Sequence, residues 1–302
     1  MKNLMYFRST FFRSLVSAFI VLLMFASQGW AKDKITIGLI PEMNVFKQKK
    51  RFDPLARYLS KELDLKVELS ILSRYGNLVE RFKEQKFDGA FLGSFTGALA
   101  IKQLGIIPLA RPVNNDGTST YLGYIFARND SGINGAADMR GKTIAFVERA
   151  TTAGYIFPLA YLKRNNVVDL DGYLNGYFFA GSHDAAIQSV MAGTAQVGAA
   201  KNTIYDRLRS SNPRIDRDLH IIAKSPRVPS NGLCVRPDMI APLKERILQS
   251  LLSLEEDAEG RVVLNVLGAK RFVKTTLEDY KPVFELAEEA GISIDSYEYV
   301  NK

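Results

Sequence analysis

Phe146-Val147-Glu148-Arg149-Ala150-Thr151-Thr152-Ala153-Gly154-Tyr155 is the stretch on which the reading of this chain turns. An apolar strand ends at Phe146-Val147, small and hydroxyl residues follow, and a helical pattern begins. The first N–H groups of a helix have no acceptor within it, and the helix dipole adds partial positive charge at the same place. Threonine hydroxyls there supply further donors, so the junction suits phosphate, sulfate or carboxylate. Taken alone, a Thr-Thr pair before a helix is more often a plain N-cap. Pro158 lies inside the helical pattern and is expected to distort its second turn. The next strand-to-helix junction, Gly181-Ser182-His183-Asp184, repeats the arrangement. It places His183 where an imidazole can donate to an anion held at the preceding helix start, or simply cap its own helix.

Outward from these junctions, short apolar strands alternate with amphipathic helices, the pattern of an α/β fold with largely parallel sheets. Strands are expected at 34–40, 66–72, 89–92 and 106–110, and a β-rich run at 119–128. Asp53-Pro54 reads as a helix start, with Leu55, Leu59 and Leu63 at helical spacing. Ser94 or Thr96 is placed to cap the helix after Gly89–Leu92. A second α/β unit opens at Lys142–Val147, with a helix over 153–165, a strand at 177–180, a helix over 183–192 and a strand at 196–200. Extended segments follow at 220–224 and 233–236, and the stretch from Ala241 to about Ala290 reads as helical. The expected organisation is a leader over 1–31, a first lobe over 32–126, an inserted lobe over 127–224 and a return to the first lobe over 225–302. Two crossing strands then join the lobes and form a hinge. Ligands in open α/β sheets bind in the crevice at the carboxyl ends of the strands.

Lys2, Arg8 and Arg13 precede the apolar run Leu15–Ala26, and Ser27-Gln28-Gly29-Trp30-Ala31 ends in small residues before Lys32. This order is that of a cleaved secretory signal peptide. At about a dozen residues the run falls short of the ~20 needed to span a bilayer. The three leader cations account for part of the formal charge of +8 and leave +5 for the remainder. No basic cluster interleaved with aromatics marks a nucleic-acid track. Cys234 is the single cysteine, which excludes an intramolecular disulfide, and its apolar neighbours place it in a buried strand. With that cysteine and two histidines, His183 and His220, no metal-ligand spacing is present, and no cofactor is implied. No nucleophile elbow, HExxH, P-loop or GxGxxG motif occurs. The balance of these features is a binding protein rather than an enzyme.

Several stretches together resemble one family. Gly38-Leu39-Ile40-Pro41-Glu42, the turn at Tyr75, Asp88-Gly89-Ala90-Phe91-Leu92-Gly93-Ser94, Thr151-Thr152-Ala153-Gly154-Tyr155 and Gly181-Ser182-His183 occur in the order found in the substrate-binding components of phosphate/phosphite/phosphonate ABC importers. The resemblance covers roughly Ile35 to Glu289. It implies a two-lobed α/β type II periplasmic binding fold with two crossing hinge strands. It also implies a periplasmic monomer that delivers a small phosphorus oxyanion to an inner-membrane permease, or presents it to a membrane sensor through the same cleft. By this resemblance the oxyanion contacts are Thr151, Thr152, Ala153 and His183, with Tyr75 and Tyr121 as cleft tyrosines. The family's Ser-Thr-Ser-Gly loses its third hydroxyl at Ala153. Ser94, Arg149 and Lys201 are further candidates, the last two being either extra cations of the site or surface charges. Where relatives that bind aminoalkyl phosphonates hold the ammonium with two carboxylates, the alignment puts Ile204 and Asn231. An unpaired ammonium in a closed cleft is costly, so aminoethylphosphonate is expected to be disfavoured against phosphate, phosphite or a small alkyl phosphonate.

Overall fold

The computed structural model describes residues 34–72, 77–84 and 86–299; the leader and Tyr75 lie outside these residues. The apolar strands β1 (Lys34–Leu39), β2 (Lys66–Ile71) and β3 (Gly89–Leu92) are connected by α1 (Val45–Leu63) and α2 (Asn77–Lys83). After β3 come α3 (Ser94–Leu104) and β4 (Ile107–Asn114). The β-rich run divides into β5 (Thr120–Tyr121) and β6 (Gly123–Arg128). Next follow β7 (Thr143–Phe146), a π-turn (Thr152–Ile156), α4 (Phe157–Arg164), the single turn α5 (Leu170–Tyr173) and β8 (Gly176–Phe179). Then come α6 (His183–Met191), β9 (Val197–Lys201), α7 (Asn202–Ser211), α8 (Arg214–Asp218) and β10 (Leu219–Lys224). The chain continues through β11 (Val228–Pro229), β12 (Gly232–Val235), α9 (Ala241–Leu252), α10 (Ala258–Leu267), β13 (Ala269–Lys274) and α11 (Lys281–Glu289).

These strands form two mixed sheets, ordered β13-β4-β12-β3-β1-β2 and β10-β6-β9-β7-β8. The chain crosses between them twice, and the crossings pair with each other as the antiparallel ribbon β5–β11, with Tyr121 opposite Val228. Asn202 pins the first crossing: its Oδ1 accepts from Leu122 N at 2.8 Å, and its own N–H donates to Leu122 O at 2.9 Å. On one face of the first sheet, Leu55 and Leu59 of α1 share a buried cluster with Leu251, Val263 and Phe272. Phe91 sits between Phe52 and Phe272, its ring centroid 5.1 Å and 6.4 Å from theirs. A second cluster contains Phe95 of α3, Ala160 of α4 and Val283 and Leu286 of α11, so α11 packs against a helix of each lobe.

Several expectations give way to the structure. The sheets are not largely parallel, since β12 pairs antiparallel with β3 and β4, and β6 with β9 and β10. The first helix starts at Asn44, not Asp53: Asn44 Oδ1 accepts from Phe46 N at 3.1 Å, and Pro54 lies within the helix. The acceptor that Pro54 leaves without its N–H is the carbonyl of Lys50, an exposed residue that water can reach. The helical stretch beyond Ala241 is interrupted by β13, a cationic edge strand that pairs antiparallel with β4; exposed Lys270 and Arg271 hide its alternation. Helix α3 is capped by Gly93 without a side-chain hydrogen bond, because the Thr96 hydroxyl turns to Gly93 O and Ser94 faces the cleft. Cys234 is fully buried in β12, as its neighbours predict.

Candidate anion-binding site

Strands β3, β7, β8 and β9 are each followed by a helical segment, and those four helical starts meet in one place. Ser94 opens α3, Thr152 opens the π-turn, His183 opens α6, and Lys201 caps α7. A small cavity between them is lined by Ser94, Tyr121, Thr151, Thr152, Ala153 and His183, together with Glu42, Lys201 and Asn231. The space open to the centre of a water-sized sphere is about 10 Å³, close to what one water requires.

The π-turn is a consequence of sequence. Ile156 N donates to Thr151 O at 3.0 Å and Phe157 N to Thr152 O, which is i→i+5 spacing. Pro158 has no N–H to give Gly154 O, and that carbonyl accepts from Val147 N at 3.1 Å instead. The distortion therefore precedes Pro158 rather than falling in the second turn. A five-residue register leaves one more N–H without an intrahelical acceptor than an α-turn does, and these are the N–H groups beside the cavity. Gly154 permits the packing: a Cβ there would stand 2.4 Å from Val147 Cβ and 2.8 Å from Thr151 Oγ1. Gly154→Ala is expected to cost about 1–3 kcal/mol of unfolding free energy through this overpacking, measured by urea denaturation.

Ser94 Oγ lies 2.6 Å from Tyr121 OH and 2.6 Å from Thr152 Oγ1. Three hydroxyl protons serve these two contacts, so one remains to donate elsewhere. Burial raises the Tyr121 phenol to about 12, against the opposing hydrogen bonds of Ser94 and Thr152, so it stays a donor. Thr151 lines the cavity, but its hydroxyl donates to Glu148 O at 2.6 Å. Ala153 contributes backbone. His183 is buried, and its Nδ1 accepts the Lys201 N–H at 3.1 Å. Burial, reinforced by Lys201 and opposed by Glu42, lowers its pKa to about 4. A neutral ring whose Nδ1 accepts must carry its proton on Nε2, so His183 is a fixed donor at neutral pH.

Depression of His183 from 6.5 to about 4 has a defined sign. Between those values the unfolded chain binds the proton and the folded one does not, so stability falls as pH drops through this window. The loss from pH 7 to pH 5 is expected to be about 2 kcal/mol. Denaturation of the protein and of His183→Gln at both pH values checks this, the variant lacking that increment.

Lys201, an open question in the sequence, is not a surface charge: it is buried, because it ends the central strand β9. Its Nζ donates to Glu42 Oε1 at 2.9 Å and to Asn231 Oδ1 at 2.9 Å, and stands 4.4 Å from the Tyr121 ring centroid. Burial pushes Lys201 below the ordinary lysine range, with Glu42 opposing. Burial would raise Glu42, but the surrounding charges, Lys201 first, bring it down to about 2. Arg149 lies outside the cavity lining, its guanidinium 4.7 Å from the Phe179 ring centroid and donating to Tyr155 OH. Ile204 is buried on the wall of a neighbouring cavity, whereas Asn231 lines both. Glu42 was not among the residues singled out; its one sequence signal is its place in Pro41-Glu42, just past the carboxyl end of β1.

Two α/β lobes joined by a paired crossing, with donors gathered at helix starts between them, define a type II periplasmic binding fold. Residues 37–280 match the family described as "ABC transporter, phosphonate, periplasmic substrate-binding protein", and the chain belongs to that family. It is 32% identical over 184 residues to the phosphate-import protein PhnD of Mycolicibacterium smegmatis, a match spanning 58% of this chain and 57% of that protein. It is 25% identical over 298 residues to the probable ABC transporter phosphite binding protein PhnD1 of Prochlorococcus marinus, covering 95% and 97% of the two chains. The structure of PhnD1 from Prochlorococcus marinus in complex with methylphosphonate shares the fold with a TM-score of 0.77 at 20% identity, over 86% of this chain and 98% of that one.

Proposed function

We propose that the protein captures a small phosphorus oxyanion (phosphate, phosphite or a short alkyl phosphonate) in the cavity between the helix starts and delivers it to an inner-membrane permease. The observation that carries this reading is the chain of hydroxyls Tyr121–Ser94–Thr152 beside a histidine fixed as an Nε2 donor. An oxyanion enters by replacing the Ser94–Thr152 contact, and Ser94, Thr152, His183 and the first amides of the π-turn then donate to its oxygens. Replacement of a contact between the two lobes couples binding to their relative position, which is what a permease can read. The relatives' names, which include phosphate import and phosphite binding, and the methylphosphonate complex support this ligand class. Transport is favoured over the sensory alternative by the family, whose members are transporter components. The protein acts as a monomer without turnover, exported by a leader cleaved near Ala31.

Aminoethylphosphonate is disfavoured for a stronger reason than missing carboxylates. The ammonium of Lys201 already sits on Asn231, so a ligand ammonium there meets a like charge as well as a desolvation cost. Calorimetric titration with phosphate, phosphite, methylphosphonate, aminoethylphosphonate and sulfate tests both points. Tight binding of one of the first three with weak aminoethylphosphonate is expected. Heat from none of the five would overturn the ligand assignment, and tight aminoethylphosphonate would overturn the role given to Lys201 and Asn231.

A further inference from the structure

A second cavity, about 420 Å³ by the same measure, adjoins the first and shares Glu42, Lys201 and Asn231 with it. Its lining also includes Arg51 and Arg207, with the rings of Phe52, Phe91 and Phe272. The lining therefore carries three cations, Arg51, Lys201 and Arg207, and three carboxylates, Glu42, Asp116 and Asp206, and Lys201 pairs with Glu42. Arg51 spends Nε and Nη2 on a neutral acceptor, Leu267 O, at 2.8 and 2.5 Å. Arg207, an exposed side chain, has its hydrogen-bond contact with Met43 Sδ at 3.9 Å. Neither guanidinium makes an ion pair among the described residues. The other two carboxylates of this cavity have their own contacts. Asp116 accepts from Thr118 N and Oγ1 at 2.9 and 2.8 Å, and Asp206 lies 3.7 Å from Arg209. Burial first, and then the charge of Arg207, lowers Arg51 to about 10, with Glu42 opposing.

We propose that this second cavity receives a carboxylate carried on the ligand's organic arm, which makes phosphonocarboxylates with a short methylene spacer the preferred substrate class. The inference rests on the phosphorus group occupying the first cavity. The two guanidinium forks suit a carboxylate in geometry and charge, and the aromatic rings offer apolar surface to the methylenes between the two anions.

The test is a paired titration: phosphonoacetate and 3-phosphonopropionate against methylphosphonate and ethylphosphonate, on the mature protein and on Arg207→Gln and Arg51→Gln. A phosphonocarboxylate is expected to bind on the order of tenfold or more tighter than the alkyl analogue, and each substitution to bring that ratio towards one. Because the ratio is taken within each variant, it is insensitive to a general loss of folded protein. Alkyl phosphonates binding as tightly as the carboxylates, or a ratio that survives both substitutions, would overturn the proposal. If alkyl phosphonates bind and the carboxylates do not, it falls alone; if no phosphorus compound binds, it falls together with the oxyanion assignment.

Discussion

Lys201→Met is expected to lower the unfolding free energy by about 3–5 kcal/mol, because it strands the Glu42 carboxylate in a buried site. The ion pair is 2.9 Å long, both side chains are almost wholly buried, and Asn231 fills one further hydrogen bond of the ammonium. Removing one partner costs more than removing both, since an unpaired buried charge is worse than none. The double variant Glu42→Gln/Lys201→Met should therefore recover most of the loss. Denaturant unfolding of the three proteins measures this directly. A cost below about 1 kcal/mol for the single variant would mean that the pair is hydrated in solution, with the lobes parted there. Acid acts on the same pair: Glu42 is held at about 2, below its ordinary 4.5. Its contribution is complete above 4.5 and lost as pH falls towards 2, which places it below the His183 window.

Thr152→Val and His183→Ala are each expected to weaken binding of the phosphorus oxyanion by about 1–3 kcal/mol, roughly 5- to 150-fold. Valine keeps the volume of Thr152 but removes the hydroxyl that meets Ser94 at 2.6 Å, leaving a ligand oxygen without a donor. Alanine at His183 removes the Nε2 donor and also strands the Lys201 N–H that now reaches Nδ1. Thr96→Val provides the comparison, since its hydroxyl donates to Gly93 O and lies outside the cavity lining. Titrations with methylphosphonate should leave this variant close to the parent. Unchanged affinity in both Thr152→Val and His183→Ala would remove the oxyanion from this cavity.

The alternation of strands and helices was legible because apolar strand cores such as Ala90–Leu92 and Thr143–Phe146 contrast with amphipathic helices between them. The junctions that carry Thr152 and His183 were legible for the same reason, since a strand followed by small and hydroxyl residues is a local signal. What escaped was non-local. Glu42 and Lys201 are 159 positions apart, and a lysine at a strand end reads as a solvated charge until the sheet order places β9 at the centre of its sheet. The Ser94–Thr152 contact joins separate lobes, so neither helix start reveals that its hydroxyl meets the other. The start of α1 was misread because Asp53-Pro54 carries a stronger local signature than Asn44, whose cap is followed by the exposed Val45 and Phe46. Strand β13 was missed because an edge strand protected by charge lacks the apolar alternation of the strands inside the sheet.

The most direct test of the central claim is a crystal structure of the mature protein with methylphosphonate. The phosphonate oxygens are predicted within about 3.2 Å of Thr152 Oγ1, Ser94 Oγ and His183 Nε2 and of the first amides of the π-turn, with the methyl group directed towards the cavity of Ile204 and Asn231. A phosphonate held elsewhere, with the Tyr121–Ser94–Thr152 hydroxyl chain still intact, would contradict it.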